Sequence, residues 1–382
     1  MQGDDAQHVP LLPADARRQQ LLDLLLRVHG GADAARQAVA AQPRAATGKQ
    51  IIVVVSQSDQ LARRDFLVRS AKAGAAIVAA GGAGLWLHDC IVPSGNIVSE
   101  SVSLPDFSLP LSAAPKMSIV TGADRVKTVN RALAALGGIE RFIKSGDRVV
   151  LKVNAAFASP AALGATSNPD LVAEVARLCL RAGAASVIVT DNPINDPQSC
   201  FALTGIARAA EAAGAKIALP TASAFKPTTL ANAALIKDWP LLIEPFHGVT
   251  KLIGLAPVKD HNRAGASMTM KNWYGLLGGR RNVFHQDINT IIFELARLVR
   301  PTLVILDGTT TMMTNGPTGG SLADLKATNT MIASTDAVAA DAFGATLLGK
   351  AAASLPFIGK CAAAGLGTAD FESLNPLRDH VD

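Results

Sequence analysis

From residue 116 onward, short continuous apolar runs alternate with longer segments in which apolar positions recur every three or four residues. The runs "KMSIVTG", "DRVVLKVN", "SVIVTD", "KIALP", "KLIGLAP", "TLVILDG" and "NTMIAST" read as strands. The segments "DRVKTVNRALAALGG", "SNPDLVAEVARLCLRAGA", "SCFALTGIARAAEAAGA", "DINTIIFELARLVR" and "DAVAADAFGATLLG" read as helices. Gly137-Gly138 stop the first helix; Asn168 caps the second, with Pro169 in its first position and Gly183 at its end. Residues 221–250 read as irregular. Strands apolar along their whole length are buried on both faces, and their alternation with helices makes them parallel. The predicted fold class is therefore α/β: one main domain, with helices on both faces of a largely parallel sheet.

The first 115 residues follow a different pattern. Residues 1–62 are polar and rich in Ala and Gln, and read as a poorly structured extension. Arg63-Arg64 then precede Asp65-Phe66-Leu67, and an uncharged run of small and apolar residues extends from Ala73 to Leu87. This order of paired arginines, Phe-Leu and an apolar run resembles a twin-arginine (Tat) export signal over residues 63–90. The run has the length of a signal peptide and is short for a free membrane span, though it could also stay as a membrane tether. Residues 91–115 read as a linker, and 116–382 as the main domain. The expected partner for the leader is the Tat export machinery. The expected location is the periplasm, free or membrane-anchored facing it.

Charge and composition narrow the function classes. The 36 Lys+Arg and 31 Asp+Glu give a net charge of +5, and aromatic residues are only 4%. The excess is not gathered into a basic face, and stacking platforms are scarce, which argues against a nucleic-acid partner. Cys90, Cys179, Cys200 and Cys361 lie far apart with no C-x-x-C pair, so no iron–sulfur cluster is expected.

The chemistry-bearing residues stand where the strands end. Lys152 and Asn154 close one strand, Asp191 a second, Lys259-Asp260-His261 a third and Asp307 a fourth. Ligands of open parallel sheets bind in the crevice beyond these carboxyl ends. The stretch "MTMKNWYGLLGGRRNVFHQ" (268–286) follows the third strand closely and can return Lys271 and Asn272 to the same edge, with Arg280, Arg281 and His285 at the mouth. Three lysines converging on one cleft call for a counter-charge, either Asp191 and Asp307 or a small anionic ligand. The turn-rich "NGPTGG" loop, with Asn315, could cradle an anion through its backbone N–H groups.

Several of these segments resemble an uncharacterised bacterial and archaeal family, DUF 362. They are "GDRVVLKVN", "TSNPDLVAEVARLCLRAGAASVIVTDNP", "LIGLAPVKDH" with "MTMKNWYGLL", "LVILDG" with "NGPTGG", and "ASTDAVAADAFGATLLG". The resemblance covers residues 116–350. It implies an α/β fold, frequent twin-arginine leaders and sometimes a fused ferredoxin-type domain, whose cysteines are missing here. It also implies that Lys152-Val153-Asn154, Lys259-Asp260-His261 and Lys271-Asn272 are the family's polar motifs, with Val153 standing where the family has Pro. It names neither cofactor nor reaction.

Three functions remain open on this basis. In the first, the cleft is an enzyme's, His261 being the acid/base because its intrinsic pKa lies nearest neutrality, and Lys271 a nucleophile if burial lowers its pKa. In the second, the protein binds or helps to assemble a cofactor without catalysis. In the third, His261, Asp191 and Asp307 hold a metal ion in a metal-dependent enzyme.

Overall fold

The computed structural model describes Val68 and residues 103–110 and 113–382. The extension, the arginine pair and the apolar run 73–87 lie outside the described residues. In chain order the strands are β1 (Met117–Thr121), β2 (Arg148–Lys152), β3 (Ser186–Thr190), β4 (Lys216–Ala218), β5 (Phe225–Thr228), β6 (Trp239–Leu242), β7 (Lys251–His261), β8 (Gly265–Ser267), β9 (Leu303–Met312), β10 (Leu325–Ser334) and β11 (Leu377–His380). The helices are α1 (Arg125–Ala135), α2 (Pro169–Arg181), α3 (Pro197–Leu203), α4 (Ile206–Ala212), α5 (Thr269–Asn272), α6 (Ile288–Leu298), α7 (Ala337–Leu347) and α8 (Pro356–Ala363).

The main sheet runs in the order β11-β1-β10-β9-β7-β2-β3-β4, with β8 folded back on β7. The segment from β9 through β7, β2 and β3 to β4 is parallel throughout. Only β10, against β1 and β9, and β8, against β7, run antiparallel. The fold is thus α/β with a mostly parallel sheet. Each central strand divides its side chains between two cores, as the two-residue period of a strand requires. On β9, Leu303 and Ile305 face the core that includes Val129, Leu133 and Val175 of α1 and α2. Val304 and Leu306 face the core that includes Ile291, Ala340 and Phe357 of α6, α7 and α8.

The helix caps follow the sequence. Asp124 caps α1 by accepting from Val126 N and Lys127 N, and Asn168 caps α2 through Asp170 N. The single helix expected over 199–215 is two, because Thr204 caps back onto Cys200 O and Gly205 takes φ 77°, a left-handed conformation that breaks the run. Residues 221–250 contain the β5–β6 pair rather than irregular chain alone. Part of the expected linker packs on the domain: Phe107 is buried, donates from N to Arg300 O and accepts at O from Thr302 Oγ1. Among the described residues, no helix is long and apolar enough to cross a membrane.

Candidate functional site

The carboxyl ends of β2, β3 and β7 open onto one cleft, enclosing about 500 Å³ of space that is partly continuous with solvent. Its polar lining includes Asn154, Asp191, Lys259, His261, Lys271, Asn272 and His285. All seven were singled out from the sequence. The reason they converge is local. The chain leaves β8 directly into the single turn α5, where buried Asp341 of α7 accepts from Thr269 N, Thr269 Oγ1 and Met270 N. That carboxylate fixes the turn, and the next two side chains, Lys271 and Asn272, point back over the ends of β2 and β7. Trp273 then inserts into the core against Gly254, where an added Cβ would stand 2.7 Å from the indole ring. Trp273 anchors the turn and is not part of the cleft.

The three lysines are in different states. Lys152, fully buried, sits 2.7 Å from Asp191 Oδ1 and also donates to Val153 O at 2.6 Å and Asn272 Oδ1 at 3.3 Å. An ammonium has three donors, so this one is saturated. Burial pulls its pKa down while the Asp191 charge opposes that. Asp191 in turn accepts from Ala155 N and Asn192 N. This pair is a structural element beneath the cleft. Lys259 donates to Ala165 O at 2.6 Å and lies 5.5 Å from the centre of the Phe157 ring. Lys271 makes no hydrogen bond or ion pair within the described residues; its Nζ lies 5.0 Å from the Tyr274 ring centre, and only 8% of the residue is exposed. Desolvation first, then the neighbouring cation (Lys271 for Lys259, Arg281 for Lys271), pushes both of these amines down to about 7.

The two histidines differ as sharply. His261 Nδ1 accepts from the backbone N–H groups of Arg263 and Ala264, capping the turn between β7 and β8. A nitrogen that accepts twice carries no proton, so a neutral His261 holds its proton on Nε2. Desolvation and the charges of Lys271, His285 and Lys259 push its pKa down to about 2. His261 is therefore a neutral hydrogen-bond donor near neutral pH. The structure gives His261 a donor's place in the cleft, where burial among cations lowers the pKa that suggested an acid/base. His285 has the opposite tautomer. Tyr274 Oη donates to Arg281 O, leaving its lone pairs for His285 Nδ1–H, which also reaches Asn282 O at 3.2 Å. The Nε2 lone pair of His285 is then free. The two rings stack with centroids 6.0 Å apart.

Three expected residues stand elsewhere. Asp307 is not in the lining: its Oδ2 accepts from Arg125 Nε at 2.9 Å and its Oδ1 from Thr309 N. The ion pair with Arg125 of α1 occupies it, although it shares a sheet face with Lys259 and His261; strand alternation instead turns Asp260 to the other face, where it pairs with Lys350. Arg280 is exposed and outside the lining; its neighbour Arg281 lines the cleft instead, fixed to the carbonyls of Tyr274, Leu277 and Pro193. Asn315 is tied to Asp324 Oδ1 at 2.6 Å. Its loop reaches the cleft through Pro317, which has no N–H, and Gly319 N is spent on Asn315 O, so the expected anion cradle does not form there. Gly316 permits the approach, since a Cβ would fall 1.8 Å from Asp260 O.

The proposed metal set fails on the same geometry. Asp307 is taken by Arg125 and Thr309 N, and His261 has no lone pair left on Nε2 to offer an ion. Among the described residues, no group of three or more His, Cys, Asp or Glu gathers around a common point. Sequence reasoning missed Phe157, Asn192, Ile194, Ser267 and Tyr274 in the lining. Of these, only Tyr274 was visible as an oddity, being the sole tyrosine.

A thylakoid-associated protein of Synechocystis sp. is 26% identical over 261 residues, covering 64% of this chain and 76% of that protein. The lactate racemase apoprotein of Thermoanaerobacterium thermosaccharolyticum overlaps at a TM-score of 0.35 and 12% identity, covering 62% of this chain and 57% of the racemase chain. A Thermotoga maritima protein overlaps at a TM-score of 0.30 and 14% identity, covering 47% and 50%. The chain thus spans 57% and 50% of the two structures, and the overlaps are too loose to speak to the site. The family model described as "Domain of unknown function (DUF362)" matches residues 149–346, which run from β2 into the last turn of α7 and hold every polar residue of the cleft named above. The chain belongs to the DUF362 family.

Proposed function

We propose that this protein binds a small anionic ligand, a carboxylate or phosphate, in the cleft at the carboxyl edge of its sheet. The observation that supports the reading is Lys271: a side chain more than nine-tenths buried, lining the cleft, with no carboxylate or hydrogen-bond acceptor among the described residues to serve it. A buried ammonium without a partner is costly, and a bound anion removes that cost. Lys259, with donors beyond the one given to Ala165 O, and the Nε2–H of His261 supply further hydrogen bonds. Asn154 Oδ1, buried and without a partner, offers an acceptor to a hydroxyl or N–H of the same ligand. If the ligand reacts, Lys271 is the nucleophile and His285, through its free lone pair, the base. If it does not, the same groups make a carrier or assembly protein.

Calorimetric titration of the full chain with inorganic phosphate and with benzoate tests the binding. Saturable binding that Lys271→Met weakens on the order of tenfold or more is expected for loss of a charge-assisted contact. Equal affinity of the variant and the parent for both anions would sink the reading.

The location proposed is outside the cytoplasm, supported by Arg63-Arg64 before Phe66-Leu67 and the apolar run that follows. The name of the cyanobacterial relative, thylakoid-associated, is compatible with a place at a membrane. Replacing Arg63 and Arg64 together by lysine should leave the protein in the cytoplasm on cell fractionation. Export undiminished in that variant would remove the twin-arginine route.

A further inference from the structure

From the contrast among the three lysines, we infer that Lys271 captures its ligand covalently as an imine, and that the ligand is a small carboxylate bearing an adjacent aldehyde or ketone. The inference rests on the anion-binding reading above and names the ligand's second functional group.

Lys152 has every donor engaged and a carboxylate in contact. Lys259 has one engaged, on Ala165 O. Lys271 has none, although it is buried, and what surrounds it is the face of Tyr274 and the cations Lys259 and Arg281. A lysine becomes a nucleophile when it is desolvated or placed beside another cation, because either favours the free amine. Lys271 meets both conditions. Its amine is brought down to about 7, so near neutral pH a large share is unprotonated, whereas Lys226 and Lys237 are exposed and have neither the burial nor this cationic surround. The turn that carries it is held by Asp341, which fixes where the amine stands.

The remaining groups suit a 2-oxo acid. Lys259 can receive the carboxylate. The Nε2–H of His261 is a donor for the carbonyl oxygen, polarising it without giving up its proton. The unpartnered Asn154 Oδ1 can accept from the hydroxyl of the intermediate. The nitrogen lone pair of Lys271 forms the C–N bond as the carbonyl π pair moves to oxygen, which takes one amine proton. The carbinolamine then expels that hydroxyl with the second amine proton as water, leaving C=N. Atoms and electrons balance, and no oxidant or reductant is required.

The test is reductive trapping on the full chain. Protein is incubated with glyoxylate or pyruvate and sodium cyanoborohydride, then peptide-mapped by mass. One reduced adduct at Lys271 is expected, forming on the order of tenfold to a hundredfold faster than at the exposed Lys226 or Lys237, because burial beside a cation favours the free amine at Lys271. Phosphate or benzoate, which cannot form an imine, should protect Lys271. Lys271→Met and Lys271→Arg should both lose the fast adduct, with thermal melting of each to confirm that it is folded. Labelling of Lys271 no faster than of the exposed lysines overturns the inference. Saturable phosphate or benzoate binding without trapping overturns the imine alone and leaves the anion site standing. Failure of every anion to bind, together with no fast adduct, removes both.

Discussion

Lys152 and Asp191 meet at 2.7 Å beneath Gly275, and the space the pair occupies is the space a side chain at 275 would need. The carbonyl of Gly275 also receives Asn192 N, so the turn after α5 is closed directly onto the end of β3. The ion pair therefore ties three distant segments together and leaves Lys271, on the same turn, as the unserved amine above it.

Gly275→Ala would place a Cβ 2.0 Å from Asp191 Oδ1 and 2.8 Å from Lys152 Nζ. Separating a buried pair strands both charges, at a cost of about 3–5 kcal/mol. Urea denaturation should show a loss of that order, and Lys152→Met a similar one. Lys152→Met combined with Asp191→Asn should recover part of it, because no isolated charge remains. Wild-type midpoints for Gly275→Ala would show that the pair is not closed in this way.

Lys271 lowers stability where it would carry charge. Its pKa is about 7 in the folded chain and 10.5 as an ordinary lysine, so the unfolded chain binds more protons between those values. Stability rises with pH wherever the unfolded state holds more protons. The penalty is thus full below about pH 7 and gone above 10.5. Lys271→Met should stabilise the unliganded protein by a few kcal/mol at pH 6 to 7, an order of magnitude set by such a shift, and by nearly nothing at pH 10.5. Paired denaturation curves across that range measure the difference, which removes the common contributions of other groups. A gain that grows with pH would contradict the assignment.

Anion affinity should run the opposite way. A bound anion favours the charged amine, so binding takes up protons and weakens as pH rises through about 7. The groups facing the ligand are Lys271 on α5, Lys259 and His261 on β7, Arg281 and His285 on the following loop, and Asp191 after β3, which Lys152 neutralises. Of these, Lys259 and Lys271 titrate in this range, and one to two protons should be absorbed per phosphate. Calorimetry of phosphate binding in two buffers of different ionisation heat reads this number directly. Proton release on binding would exclude protonated lysine as the receptor.

Asp341 acts at a distance through the turn it holds. It is fully buried, with its pKa pushed up to about 7 by desolvation even against three hydrogen bonds to its oxygens. Asp341→Asn replaces one acceptor by a donor facing backbone N–H groups, which cannot be satisfied. Phosphate affinity should fall on the order of tenfold while its decline above pH 7 persists, because Lys271 is retained. Unchanged affinity would mean that α5 keeps its place without the carboxylate.

Much of this was legible in the chain itself. Continuous apolar runs gave the strands and the 3.6-residue period the helices, caps such as Asn168-Pro169 gave a start, strand ends gave four residues of the cleft, and the 268–286 stretch gave Lys271, Asn272 and His285. Those features depend on local backbone preference and on burial, both of which leave a trace in neighbouring residues. The misses have equally physical causes. Thr204-Gly205 breaks a helix that periodicity alone continues. The strands of the β5–β6 pair are only four residues long, and β11 is held by β1 from the other end of the domain.

The sequence by itself determined that lysines, histidines and an asparagine would gather at one sheet edge, because parallel strands put their carboxyl ends on the same side. Only the tertiary structure decided what each of them became. Arg125 took Asp307, backbone N–H groups fixed the tautomer of His261, and the Asp191 carboxylate went to Lys152. An amine's chemistry depends on the charges and solvent around it, and those are set by how β2, β3, β7 and the turn after α5 come together, segments as far apart as Lys152 and Asn272.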